Sequence, residues 1–330
     1  MLYTVSIVMK TLAHDQRTLN LLAIQKPAIT ARLIRQVAGM ETTVVLDLED
    51  SLWDVDDPNR TRELKAGARR DLLELAKSHP EIFHRNKIGA RINRFSSAEF
   101  AADLGVLSEM ARMLPLSVVV PTKVESAQEL RRCCQALADF RVTCEAITPI
   151  VETSKGMACL PEISSAAVEM GMPAIIYGHY DYCLSARLWP FPEFDEASFW
   201  ELIGPFITQV ENAGLSYVQP PFFSMYDDST FSGVLGELVR KCRYPFGVLT
   251  FGPRQTKMCS EVTIGNTHVD GIKLHPSVQL SHEEKTRHAV DIVQAYNSHR
   301  LENKSFAVDP RTGRFIAPHQ YAAAKIYLGE

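Results

Sequence analysis

Ionisable residues gather at a few short stations along this 330-residue chain: Asp47-Leu48-Glu49-Asp50, Arg91-Ile92-Asn93, Pro121-Thr122-Lys123-Val124-Glu125, Glu152-Thr153, Gly178-His179-Tyr180-Asp181 and Lys273-Leu274-His275-Pro276. Glu152 and Asp181 pair two carboxylates with no thiolate or histidine set of the zinc type. Such oxygen donors suit Mg²⁺, or alternatively Mn²⁺, which keeps water and substrate oxygens in its remaining positions. Arg91 offers a planar fork for a substrate carboxylate. A hard cation beside a guanidinium describes a grip on a 2-oxo acid, in which the ion stabilises the enolate formed as a carbon–carbon bond breaks or forms.

Each residue alone has a plainer reading. Asp50-Ser51 suits a turn or cap, Arg91 a buried ion pair, Lys123 a rim charge, and Glu152 an acid on a helix dipole. His179 and Tyr180 either shape substrate specificity or pack the loop. Taken together the set favours function, because several charges buried near one another need pairing or a metal.

The elements that position these stations are short runs rich in Val, Ile and Leu at 5–8, 43–48, 88–92, 117–121, 146–151, 174–177, 216–219 and 269–274, with a less certain ninth at 247–251. Little polar alternation interrupts them, as expected for strands covered on both faces. Amphipathic segments lie between them. Ser96-x-x-Glu99, Ser126-x-x-Glu129 and Ser281-x-x-Glu284 read as capping boxes. The stretch 195–213 carries Phe199, Leu202, Ile203, Phe206 and Val210 on one stripe, ahead of Gly214 as a left-handed stop. Eight strands alternating with helices predict an α/β fold, a parallel TIM (β/α)8 barrel over 1–280 with a C-terminal helical extension over 281–330. That extension is expected to pack on the barrel or on a neighbouring subunit. An open dinucleotide-binding sheet loses ground because no Gly-x-Gly-x-x-Gly follows the first strand. Every station then lies at the C-terminal end of a strand, the face on which barrel active sites are built.

A net charge of −4 with 22% charged residues leaves no basic excess for a phosphate backbone, so no nucleic-acid partner is expected. The basic run Arg60, Arg62, Lys65, Arg69 and Arg70 reads as a solvated helix face. Seven scattered cysteines without a C-x-x-C pair suggest free thiols in a reducing compartment. No apolar run approaches the roughly 20 residues of a membrane span, and no secretory lead is visible. The expectation is a cytoplasmic protein with no membrane partner.

Several stations fall in a familiar order. Asp47-Leu-Glu-Asp50-Ser51, Lys65-x-x-Ala68-Arg69, Arg91-Ile-Asn93, Pro121-Thr-Lys123-Val-Glu125-Ser126, Ile150-Val-Glu152-Thr153 and Tyr177-Gly-x-x-Asp181 resemble the motifs of the HpcH/HpaI aldolase family, in its citrate lyase β-subunit-like branch with the malyl-CoA lyases. His275-Pro276-Ser277-Val278-Gln279 looks like a late signature of that family with one residue intruding. The resemblance covers about 43–279. It implies a TIM barrel, Mg²⁺, a homo-oligomer (trimer or hexamer), and lyase chemistry on a hydroxy or oxo di-acid. By motif, Glu152 and Asp181 become the metal ligands, Arg91 holds the substrate carboxylate, Glu49 and Asp50 are the acidic pair beside the metal water with Asp50 assisting proton transfer, and Lys123 orients that pair or adds positive potential.

The chain departs from the pattern at both ends. It lacks the family's usual opening motif, which weighs against a CoA thioester substrate. Residues 244–268 read as an insertion over the site's mouth. In Gly313-Arg-Phe-Ile-Ala317, alanine stands where relatives carry a basic Asp, unless Asp309 or His319 substitutes. These departures keep a second reading open, a non-catalytic barrel that binds a metal–oxo-acid complex as a sensor or accessory subunit.

Overall fold

Nine short strands make one parallel sheet in the computed structural model, which describes residues 12, 17–224, 226–264, 272–277, 279–299, 306–309 and 315–330. They are β1 (Thr18–Ala23), β2 (Thr43–Asp47), β3 (Lys87–Ile92), β4 (Leu116–Pro121), β5 (Cys144–Ile147), β6 (Ile150–Val151), β7 (Ala174–Tyr177), β8 (Ser216–Gln219) and β9 (Gly247–Thr250). Their order is β5-β4-β3-β2-β1-β9-β8-β7-β6. The two ends of that series are halves of one strand. Between them stand Thr148 and Pro149, and proline has no N–H for the ladder. The Thr148 N–H still donates to the Val119 carbonyl at 3.0 Å, and the Ile176 N–H to the Pro149 carbonyl at 2.9 Å. The ring is therefore a TIM-type barrel whose fifth strand is broken.

Two of the expected strands change. Residues 5–8 lie outside the described residues, and the first barrel position is filled by β1. Its Thr18 and Asn20 break the apolar pattern, which hides the strand. Both are buried, and the Asn20 amide donates to Thr256 Oγ1 at 2.9 Å and to the Gly252 carbonyl at 3.2 Å, tying β1 to the segment after β9. The last position belongs to β9, the weaker candidate. Of the stretch expected there at 269–274, residues 272–274 form no strand and 269–271 are outside the described residues. The supposed insertion 244–268 thus contributes β9 and the helix Gly252–Ile264 to the barrel itself.

Strand parity decides what faces inward. Leu19, Leu21, Val45, Val118, Val120, Ile150, Ala174, Ile176, Val218 and Leu249 form the cluster inside the ring. The alternate residues Val44, Leu46, Ile88, Ala90 and Ile92 pack outward against helices. One step beyond Val45 and Ile150 along the same parity come Asp47 and Glu152, and beyond Gly89 comes Arg91. Inward-facing positions are apolar in the body of the barrel and charged at its C-terminal end.

Two capping expectations hold and one does not. Ser126 Oγ accepts from the Glu129 N–H, and Ser281 exchanges both bonds with Glu284. Ser96 caps nothing; the helix begins at Phe100 without a side-chain cap, and Glu99 instead pairs with Arg69. The helix Ala197–Asn212 buries Phe199, Ile203, Phe206 and Val210 of its expected stripe and half-buries Leu202, with Gly214 at φ +82° behind it.

After the barrel come the helix His282–His299, a small antiparallel pair (Ala307–Val308 with Phe315–Ile316) and the helix Pro318–Leu328. This tail seats on its own barrel. Tyr321 and Lys325 both bond to Asp56 at 3.0 Å, and Trp189 Nε1 donates to the Lys285 carbonyl at 3.1 Å. No helix among the described residues is long and apolar enough to cross a membrane.

Gly89 marks how tightly the ring is closed. A Cβ there would lie 2.2 Å from the Val118 carbonyl oxygen, whereas one at Gly67, on the helix Pro58–Ser78, meets nothing nearer than 3.8 Å. Gly89→Ala should destabilise the fold by about 1–3 kcal/mol. Gly67→Ala should stabilise it by about 0.5–1 kcal/mol through helix propensity. Urea unfolding of the two variants checks this; equal midpoints would show that the β3–β4 approach is not the constraint.

Candidate active site

The site begins with Asp47, the last residue of β2 and wholly buried. Its neighbour in register on β3 is Arg91. The guanidinium forks onto it, Nε to Oδ1 at 2.7 Å and Nη2 to Oδ2 at 2.5 Å. Asp47 also accepts the N–H groups of Glu49 at 2.9 Å and Ser51 at 3.0 Å. Burial opposes ionisation, but Arg91 and these donors hold the carboxyl below its ordinary range. The result is a fixed loop that presents Glu49 and Asp50 above the strand.

This revises the expected task of Arg91. Its fork is occupied by Asp47 rather than open for a substrate carboxylate; Nη1 remains, 3.4 Å from Glu49 Oε2. The residue still lines the cavity at the barrel mouth.

Lys123 stands at the centre of the acids. Its ammonium contacts Glu49 and lies 3.1 Å from Asp50 and 3.0 Å from Asp181. Burial works against its charge, yet these carboxylates and Glu152 push its pKa well above the ordinary value. Its backbone has φ +52°, a left-handed conformation that costs a non-glycine residue on the order of 1 kcal/mol. In that conformation its N–H donates to Glu152 Oε1 at 2.9 Å. Glu152 is buried beneath Gly178, where a Cβ would come within 2.1 Å of Oε2. Glycine in the Tyr177-Gly-x-x-Asp181 motif is therefore the room for Glu152.

A residue from the tail completes the group. His319, in the first turn of the helix Pro318–Leu328, places Nε2 3.2 Å from Asp50 and 3.0 Å from Asp181. Burial disfavours its charge, but Asp181 and Asp50 raise its pKa to about 10. Asp50, Asp181 and His319 each bring one ligand atom within 4.8 Å of the others, a spacing that fits a metal ion. Of the expected pair Glu152 and Asp181, this group contains Asp181 alone, joined by Asp50 and His319. Sequence reasoning ranked His319 only as a stand-in for the missing tail carboxylate, because nothing local joins it to the Asp50 loop.

The charges do not balance among themselves. Asp47, Glu49, Asp50, Glu152 and Asp181 meet Arg91, Lys123 and His319. Burial and the Asp50 charge push Glu49 up to about 7 despite Lys123 and Arg91. Burial and Asp181 hold Glu152 well above the usual carboxylate range, whereas Lys123 and His319 overcome burial at Asp50 and hold it well below. Oxygen-rich, partly buried and short of positive charge, the donor set fits a hard divalent cation.

Other expected residues take different places. His179 is buried, its Nε2 2.8 Å from the Pro192 carbonyl and its Nδ1 3.3 Å from the Tyr177 hydroxyl. Burial depresses its pKa to about 4, and rings of Phe194 and Phe199 surround it. It packs among these rings and also lines the cavity. Tyr180 lines the cavity, its ring 4.4 Å from that of Phe223. His275 makes a backbone bridge to Glu196, away from the acids. Arg254 pairs with Asp228 on the surface.

The basic run needs a correction as well. Lys65 is buried and contacts Asn93, while Arg69 Nε donates to Asp103 at 2.8 Å. Asn93 in turn donates to Asp103 and to the Leu48 carbonyl, each at 2.8 Å. These residues hold the loops after β2 and β3 rather than facing solvent.

A parallel barrel with a converging acidic group at its C-terminal mouth is the class that this fold and site define. No protein-family model matches the chain, and no curated protein does. Solved structures do. A citrate lyase from Burkholderia xenovorans LB400 aligns with TM-score 0.62 at 14% identity, over 97% of this chain and 91% of its own. CitE from Mycobacterium tuberculosis, in complex with magnesium, acetoacetate and coenzyme A, aligns with TM-score 0.55 at 17% identity, over 95% and 98%. RipC from Yersinia pestis aligns with TM-score 0.52 at 19% identity, over 76% and 96%. At such identities the likeness is one of fold.

Arg91→Ala strands a fully buried carboxylate and should cost about 3–5 kcal/mol of stability. Arg91→Lys keeps the charge without the fork and should fall between that variant and the parent. Chemical denaturation measures both; an Arg91→Ala protein as stable as the parent would remove the ion pair from its structural role.

Proposed function

We propose that the protein is a Mg²⁺-dependent carbon–carbon lyase of the aldolase type, acting on a small oxo or hydroxy acid. The observation that carries this reading is the convergence of Asp50, Asp181 and His319 at one point of the barrel mouth, with Glu152 beside them and too few cations to balance them. The fold shared with citrate lyase structures, one of them holding magnesium and acetoacetate, supports the same ion.

Glu152, Asp181 and Asp50 would hold the cation, with His319 in reach. When bound, it supplies a Lewis acid that polarises the substrate carbonyl and stabilises an enolate. The chain's own residues do the rest. Asp47 and Arg91 fix the loop that carries Glu49 and Asp50. Of those two acids Asp50 lines the cavity and would assist transfer of a substrate hydroxyl's proton, and Lys123, in contact with both, would orient them. His319 brings the tail over the mouth and limits water access from that side.

The competing reading, a metal–oxo-acid sensor without turnover, rests on Ala317 at the position of the relatives' tail carboxylate. It is weakened by His319, which brings a titratable group from that same tail to the acids.

Glu152→Ala and Asp181→Ala should each weaken Mg²⁺ binding at least tenfold in calorimetry and reduce pyruvate-forming or acetate-forming turnover by about a thousandfold or more. The parent should bind oxalate, an enolate mimic, only with Mg²⁺ present. Retained Mg²⁺ affinity in both variants would move the metal elsewhere. Tight oxalate binding without turnover on a broad panel of hydroxy acids would favour the sensor.

A further inference from the structure

The cavity at the barrel mouth, about 380 Å³, is larger than a three-carbon oxo acid fills, and its two sides differ in kind. Going round the ring, β2, β3, β4, β6 and β7 deliver the acids, Arg91 and Lys123. The remaining arc, β8, β9 and β1, delivers carbon. Leu21 and Leu249 face inward from β1 and β9. Phe223 and Phe251 follow β8 and β9, with ring centroids 5.1 Å apart, and Phe223 reaches Tyr180. The tail adds Phe306 and Phe315 to the lining, their centroids 4.9 Å apart. Gln25 is the polar side chain on this arc, and no Lys or Arg lines it among the described residues. Among the described lining residues Arg91 is the one arginine, and its fork is taken by Asp47.

We propose that the substrate is a monocarboxylic oxo or hydroxy acid whose far end is an apolar group, aryl or branched alkyl, rather than a di-acid. The inference deepens the lyase reading and rests on it. A second carboxylate laid against Phe223, Phe251 and Leu249 would lose its water with no Lys or Arg among the described lining residues of that arc to replace it. A phenyl ring there gains aromatic and aliphatic contact instead. For a 4-hydroxy-2-oxo acid R–CH(OH)–CH₂–CO–COO⁻ the step is a retro-aldol cleavage. The C3–C4 bond breaks, its electron pair forms the enolate of pyruvate, and the C4 hydroxyl loses its proton to leave the aldehyde R–CHO. One proton returned to C3 gives pyruvate, so no oxidant or reductant is needed.

The test uses the full chain with Mg²⁺ and two unreactive acids, 2-oxo-4-phenylbutanoate and 2-oxoglutarate, with oxalate as a probe of the acidic end alone. Calorimetry should show the phenyl acid binding about tenfold or more tightly than the di-acid. Phe223→Arg should reverse or erase that preference, and Phe223→Leu should keep it. Oxalate binding in each variant reports that the fold and metal site are intact. Equal or tighter binding of 2-oxoglutarate by the parent overturns the proposal while leaving the lyase reading standing. Absence of phenyl-acid binding with oxalate still bound overturns the proposal alone, and loss of Mg²⁺-dependent oxalate binding by the parent overturns the metal-site reading and the proposal with it.

Discussion

The Asp47–Arg91 pair is the constraint on which the mouth of this barrel depends. Both residues point inward from adjacent strands, at the level where the apolar filling of the ring stops. A carboxylate wholly buried there is tolerable only with its lone pairs filled, and the guanidinium fork with two backbone N–H groups fills them. Because those N–H groups belong to Glu49 and Ser51, the pair also dictates the turn that carries the acids facing Lys123. Asn93, Asp103, Arg69 and Lys65 brace the same turn from outside through the Leu48 carbonyl. A site whose acids repel one another needs such a frame, since otherwise the loop would relax outward toward water.

That division of labour explains what was legible in the sequence. Stations at strand ends were readable because a parallel barrel puts them on one face, and strands such as β2 and β7 announce themselves by unbroken apolar runs. Strand β1 did not, because its buried Asn20 is satisfied by Gly252 and Thr256, more than two hundred residues away. Roles were harder to read than places. Arg91 and Lys65 looked like a substrate fork and a solvated charge, and only packing reveals that each answers a buried acceptor. Spacing gives the strand end on which a charge stands, not which neighbour claims it.

His319 illustrates the same limit at long range. Its link to Asp50 and Asp181 is made by the path of the tail, which crosses its own barrel through Tyr321 and Lys325 on Asp56. No local pattern encodes that crossing. Yet it places a group beside the acids from a segment that otherwise contributes Phe306 and Phe315, so one tail supplies both a polar contact and an apolar lid.

The partition of the cavity follows from topology as much as from composition. In a closed ring β9 and β1 are neighbours although they lie at opposite ends of the chain, and β8 adjoins β9. Apolar residues at these three positions therefore form one continuous wall, facing the arc from β2 to β7 that carries the charges. Opposed walls of this kind would orient an amphipathic ligand in one sense: a cation held by the acids would draw its ionic end, and its carbon end would lie against the aromatics. Reversing the ligand would bury a carboxylate in carbon and leave the acidic cluster unanswered, two unfavourable terms with nothing on the opposite face to offset them.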